Sequence, residues 1–151
     1  MLALRINQVG QPDANGSVPI ALDTGAANQV TRPHRTHLRP FAVPDVMDWL
    51  TLRLDERDGG KLLFPAAPGN HALLDAATVY RQVKKTFRRA GLDPQRWGGR
   101  TLRNSFAVHE LEQTGSTELV GELMGHRLQR STEYYQAALV RLQRRGAARA
   151  T

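Results

Sequence analysis

Gly98 to Tyr135 reads GGRTLRNSFAVHELEQTGSTELVGELMGHRLQRSTEYY, and both helices and chemistry can be read along it. Gly98-Gly99 turns the chain into a helix expected over Thr101–Gln113, with Leu102, Phe106, Ala107 and Leu111 as its apolar stripe. Thr114-Gly115 breaks that helix, and Ser116 can cap the next one, with Glu118 in its first turn. Leu119, Val120, Leu123 and Met124 give this second helix a buried face until Gly125 stops it and presents His126. A last helix, starting at about Arg130 or Ser131, holds Tyr135 with Ala138 and Leu139 on or near one face.

The same stretch gathers a reactive set. Arg100 and Arg103 stand three apart at the start of the first helix, where backbone N–H groups also attract anions. Tyr135 comes nine residues after His126. Two guanidiniums, an imidazole and a phenol point to chemistry on a phosphate. Arginine clamps phosphate oxygens bidentately and keeps its charge at any working pH. A phenol with a pKa near ~10 must be activated, and neighbouring cations do that. Taken singly, each residue has a structural reading: Arg103 as a salt-bridged helix residue, His126 as a cation suited to a helix C-terminus, Tyr135 as a half-buried core side chain.

Taken together, the stretch resembles the catalytic C-terminal half of the tyrosine site-specific recombinases, the phage integrase family. That family's His-x-x-Arg motif with its Thr-Phe-Ala run corresponds here to Arg100-Thr-Leu-Arg103-Asn-Ser-Phe-Ala107, with Arg100 in the place of a histidine or lysine. Its Leu-Gly-His motif corresponds to Met124-Gly125-His126, and its nucleophile, after a Ser/Thr pair, to Tyr135 with Ser131 and Thr132 before it. The resemblance implies a mainly helical α+β fold, with a small antiparallel three-stranded sheet beside a helical catalytic core. It also implies a double-stranded DNA partner, a homo-oligomer on DNA for the intact protein, and no metal or other cofactor. Residues 1–140 would be one truncated catalytic domain and 141–151 a basic tail that frays.

Composition agrees with these implications. The 151 residues suit a single core, and the formal net charge of +7, with a pI near 10.7 and arginine far outnumbering lysine, favours a polyanion. Cysteine is absent, which excludes disulfides and thiolate metal sites, and the histidines are scattered without ligand spacing. No apolar run approaches the ~20 residues that span a bilayer, and no signal peptide opens the chain. A cytoplasmic, DNA-associated bacterial protein is the expectation.

Upstream of the deciding stretch, Met1-Leu-Ala-Leu-Arg5 reads as the end of a helix. The family places its first catalytic arginine roughly two helical turns before a similar run, which here would precede Met1. Strands are expected near Arg5–Val9, Ser17–Leu22 and Thr36–Val43, the last at a sheet edge because of Pro40, with polar loop over residues 23–35. In the family, the loop between the second and third strands carries a lysine that protonates the leaving 5′-oxygen. Aligned on Pro40-Phe41, that position falls on Arg32, with Arg35 a neighbouring candidate for backbone phosphate contact; arginine is a poor proton donor, its pKa exceeding about 12. A scaffold helix over Pro44–Arg57 would bury Val46, Leu50 and Leu54, and the short segment Lys61–Pro65 follows.

A helix over Leu74–Ala90 pairs an apolar stripe (Ala76, Val79, Tyr80, Val83, Phe87, Ala90) with a cationic one. Arg81, Lys84, Lys85 and Arg88 recur at i, i+3, i+4 and i+7, a candidate contact to the DNA backbone that positions a duplex without reading its sequence.

As implied by the resemblance, Tyr135 attacks a DNA phosphodiester to form a 3′-phosphotyrosyl link, and Arg103, Arg100 and His126 bind the phosphate. Rival readings are a non-catalytic DNA-binding remnant of such a recombinase, a type IB topoisomerase, and a helix-turn-helix regulator. The last explains basic helices but not an ordered Arg/His/Tyr set.

Overall fold

The computed structural model describes residues 3–23, 31–55, 60–67 and 72–147. They form strands β1 (Val18–Leu22) and β2 (His34–Leu38) and helices α1 (Val43–Asp55), α2 (Ala76–Arg89), α3 (Gly99–Thr114), α4 (Thr117–Leu123) and α5 (Arg130–Ala147). The chain divides into two compact units, Met1–Gly25 with Pro33–Gln82, and Ala26–Arg32 with Val83–Thr151.

In the first unit the expected three-stranded sheet is a two-stranded antiparallel ladder, β1 with β2, running from Val18 opposite Leu38 to Leu22 opposite His34. The segment expected as a first strand is instead a 3-10 turn, Ile6–Gln8. Its polar side chains decide the matter: the Gln8 carboxamide accepts the Arg5 N–H at 2.7 Å, removing a donor that a ladder would need. Isolated bridges remain at Arg5–Leu62 and Val9–Ile20. The expected strand over Thr36–Val43 is also shifted. It runs His34–Leu38, taking in part of what was expected as loop, and ends before Pro40, whose fixed φ opens a 3-10 turn, Pro40–Ala42, leading into α1. Residues 24–30 of the expected loop lie outside the described residues.

The core of this unit joins Leu4, Ile20, Leu50 and Leu63, with Trp49 donating its indole N–H to the Leu63 carbonyl at 2.8 Å. One expected core position is exchanged. Leu54 is exposed, and Arg53 is fully buried beside it, its Nη2 reaching the carbonyls of Gly60 and Leu62 at 3.3 Å each. The guanidinium therefore ties the segment after α1 back onto the helix.

The second unit packs α3, α4 and α5 around Ala107, Leu111, Val120, Met124 and Tyr135, with Phe106, Val108 and Leu139 alongside. Leu102, expected in the α3 stripe, is exposed. Gly115, at φ 66°, ends α3 with its N–H on the Leu111 carbonyl, and Ser116 caps α4 by accepting the Leu119 N–H at 3.2 Å. The Glu118 carboxyl is held below the ordinary carboxylate range, first by its own backbone N–H and then by the Ser116 hydroxyl. Its contribution to stability is thus present above the ordinary carboxylate pKa and fades as pH falls through the lowered value. Helix α5 continues through Ala147, so the basic segment from Arg141 is helical rather than frayed, and residues 148–151 lie outside the described residues.

Leu111 is central to this cluster, so Leu111→Ala is expected to cost about 2–5 kcal/mol. Urea unfolding should show a lower midpoint with an unchanged slope, and a loss under about 1 kcal/mol would contradict this packing.

Candidate active site

The end of α4 builds the turn on which the site depends. Gly125 adopts φ 65°, its N–H donates to the Glu122 carbonyl at 3.0 Å, and the His126 N–H donates to the Gly121 carbonyl at 2.9 Å. This is a Schellman closure, which needs a residue without a Cβ penalty in the left-handed region. Helix α4 stops there, and His126 emerges at a fixed place beside the start of α5.

Three chemistry-bearing side chains meet around that turn, each held by a neutral partner. Arg103, on the second turn of α3, donates from Nη2 to the Met124 carbonyl at 2.7 Å, directly before Gly125. One of its five donors is used, leaving the rest of the fork for a ligand. His126 lies with Nδ1 2.9 Å from the Thr132 hydroxyl. Its ring is nearly parallel to that of Tyr135, with centroids 6.0 Å apart and an 8° interplanar angle. Tyr135 is buried to 8% exposure and donates its hydroxyl to Asn104 Oδ1 at 3.2 Å. Its neighbour Tyr134 meets it edge-on and is 69% exposed.

Arg32 also reaches this turn through its backbone. Its N–H donates to the Gly125 carbonyl at 2.9 Å, and Thr31 bridges His126. Arg32 is exposed, as is Arg100 one turn before Arg103 on α3. Among the described residues no group of three His, Asp or Glu side chains is gathered that could hold a metal ion.

The cationic stripe of α2 divides in use. Lys84 turns its ammonium to the carbonyls of Pro94 and Trp97, the latter at 2.9 Å, and so fixes the approach to Gly98 and the start of α3. That is a structural use of a residue expected to contact DNA. Lys85 and Arg88 are exposed. Arg81 donates to the Thr78 hydroxyl at 2.8 Å, and Arg35 lies exposed on β2; both belong to the first unit.

Sequence reasoning missed Asn104 and gave Thr132 no role of its own. Asn104 lies 31 residues from the phenol it binds, so no local pattern marks it. Thr132 had a signal: a hydroxyl residue one turn before Tyr135, on the face that α5 buries. Because Tyr135 donates to Asn104, Asn104→Ala and Tyr135→Phe should be non-additive in a double-mutant cycle, coupled by about 0.5–1.5 kcal/mol in urea unfolding. Additivity within about 0.3 kcal/mol would contradict the contact.

With this geometry in place, the similarities to known proteins follow it closely. The Phage integrase family model matches residues 21–141. Tyrosine recombinase XerD of Corynebacterium glutamicum is 40% identical over 62 residues, covering 41% of this chain and 20% of that protein. Tyrosine recombinase XerC of Brucella melitensis biotype 1 is 39% identical over 77 residues, covering 50% and 23%. Among solved structures, XerH site-specific recombinase bound to palindromic difH substrate, a post-cleavage complex, matches with TM-score 0.73 at 24% identity, over 97% of this chain and 40% of that one. XerA recombinase matches with TM-score 0.66 at 21% identity, over 89% and 45%. The fold is therefore the one those recombinases share, and the matched regions span about a fifth of the curated relatives and under half of the solved chains.

Proposed function

The chain belongs to the phage integrase family of tyrosine recombinases, and on that premise we propose that its second unit breaks and rejoins DNA through Tyr135. The phenolic oxygen attacks a backbone phosphorus, the Tyr135 O–P bond forms as the P–O5′ bond breaks, and a 5′-hydroxyl leaves. The phenol gives up its proton and the departing oxygen gains one, so the phosphodiester keeps its single negative charge. A second strand's 5′-hydroxyl then reverses the step on the phosphotyrosyl link, completing recombination with the bond energy conserved.

Each residue's part follows from its chemistry. Arg103 neutralises charge growing on the non-bridging oxygens, with Arg100 supplying a second guanidinium from the same helix end. His126 hydrogen-bonds the same phosphate. Arg32, whose backbone is tied to the Gly125 carbonyl, supplies positive charge near the leaving oxygen, since a guanidinium does not give up its proton readily. Lys85, Arg88, Arg81 and Arg35 contact backbone phosphates of a double-stranded site, and a homo-oligomer forms on that DNA. For attack the Tyr135 hydroxyl exchanges the Asn104 acceptor for the phosphate, giving up a 3.2 Å hydrogen bond worth about 0.5–1.5 kcal/mol.

The single observation that carries this reading is the assembly of Arg103, His126 and Tyr135 around one α4–α5 turn. A nicked duplex library of randomised sequence tests it, because loss of the short 5′-terminal piece traps the covalent adduct. Denaturant-resistant protein–DNA complexes are the expected outcome. Salt-sensitive binding with no adduct would favour the second reading, a non-catalytic DNA-binding protein, which the burial of Tyr135 at 8% exposure also fits.

A further inference from the structure

We infer that Thr132 is a positioning residue that fixes the tautomer of His126, donating its hydroxyl hydrogen to Nδ1 so that Nε2 carries the imidazole's hydrogen. The inference rests on the proposed phosphate chemistry for its purpose, though not for its geometry.

The argument begins with burial. Thr132 is 1% exposed, and its Oγ1 lies 2.9 Å from His126 Nδ1. A buried hydroxyl carries a hydrogen that needs an acceptor. Among the described residues, Nδ1 is the one partner of that hydroxyl. Were Nδ1 to carry a hydrogen and donate, the Thr132 hydrogen would be left buried without an acceptor. The arrangement that satisfies both groups has Thr132 donating to an Nδ1 lone pair. A neutral imidazole with Nδ1 accepting has its hydrogen on Nε2.

The surrounding backbone holds this pair in place. Thr132 sits in the first turn of α5, its N–H on the Gln129 carbonyl at 2.7 Å. Gly121 makes the room: a Cβ there would stand 3.1 Å from Thr132 Oγ1. The Gly125 turn fixes the backbone from which the imidazole projects, and the Tyr135 ring lies parallel to it. An Nε2–H ring offers a hydrogen to a phosphate oxygen without first having to be protonated, whereas the other tautomer would turn a lone pair toward the anion.

Histidine 15N NMR on the full chain, at a pH where the imidazole is neutral, reads the tautomer directly. The Nε2–H pattern is expected for His126 in the wild type and in Thr132→Ser. In Thr132→Val, with the hydroxyl gone, that single-tautomer pattern should be lost to a mixture. A wild-type Nδ1–H pattern would overturn the assignment, as would an unchanged pattern in a folded Thr132→Val. Should Thr132→Val not fold, the wild-type and Thr132→Ser spectra still decide. The covalent trapping assay is separate: an Nε2–H histidine in a protein that never captures DNA would uphold this assignment and defeat the catalytic one.

Discussion

Tyr135→Phe should abolish covalent capture of nicked DNA while leaving non-covalent affinity for the same duplex unchanged. The loss is total because the phenolic oxygen is the atom that becomes bonded to phosphorus, and no other group at the turn can replace it. His126 is committed through Nδ1 to Thr132, and Tyr134 presents its ring outward at 69% exposure. The fold should tolerate the change. The ring keeps its place among Ala107, Leu111, Val120 and Met124, and only the hydrogen bond to Asn104 is removed, at a cost of about 0.5–1.5 kcal/mol. Gel analysis after denaturation, paired with equilibrium binding, separates the two effects. Continued capture by the phenylalanine variant would remove Tyr135 as the nucleophile.

Arg103→Lys is expected to lower the single-turnover rate of capture by about 10²–10³, the range seen when one charge-stabilising donor is lost from a transition state. The lysine keeps the formal charge, so bulk attraction to DNA should change little. What it loses is the planar fork: Arg103 anchors one nitrogen on the Met124 carbonyl at 2.7 Å and still has donors for a phosphate. A single ammonium cannot do both with the same geometry. The variant also leaves the Met124 carbonyl without its partner, and a second measurement of stability accounts for that part, about 1–3 kcal/mol at most. A capture rate within about threefold of wild type would show that Arg103 is a structural residue of α3 and not a phosphate clamp.

Features set by short-range chemistry were legible in the sequence. Gly115, Ser116 and Gly125 end or start helices through their own backbone and hydroxyl preferences, and the structure uses each in that way. The Arg/His/Tyr order likewise identified the family that residues 21–141 match. Features set by a distant partner were not legible. Arg5–Val9 reads as a strand ahead of the Gly10 and Pro12 turn signals, but the Gln8 side chain folds back on Arg5. Arg53 and Leu54 exchange roles because carbonyls at Gly60 and Leu62 await a guanidinium. Lys84 belongs to a regular cationic stripe, and only the fold reveals that it serves Pro94 and Trp97. Asn104 was invisible for the same reason, since its partner lies on another helix.

The central claim is that one tyrosine, Tyr135, forms the bond to DNA, and peptide mass spectrometry of the trapped adduct tests it most directly. Trypsin would release residues 131–141, which hold both Tyr134 and Tyr135. Fragmentation should locate the residual nucleotide on Tyr135. Its presence on Tyr134, or on Ser131 or Thr132, would contradict the account.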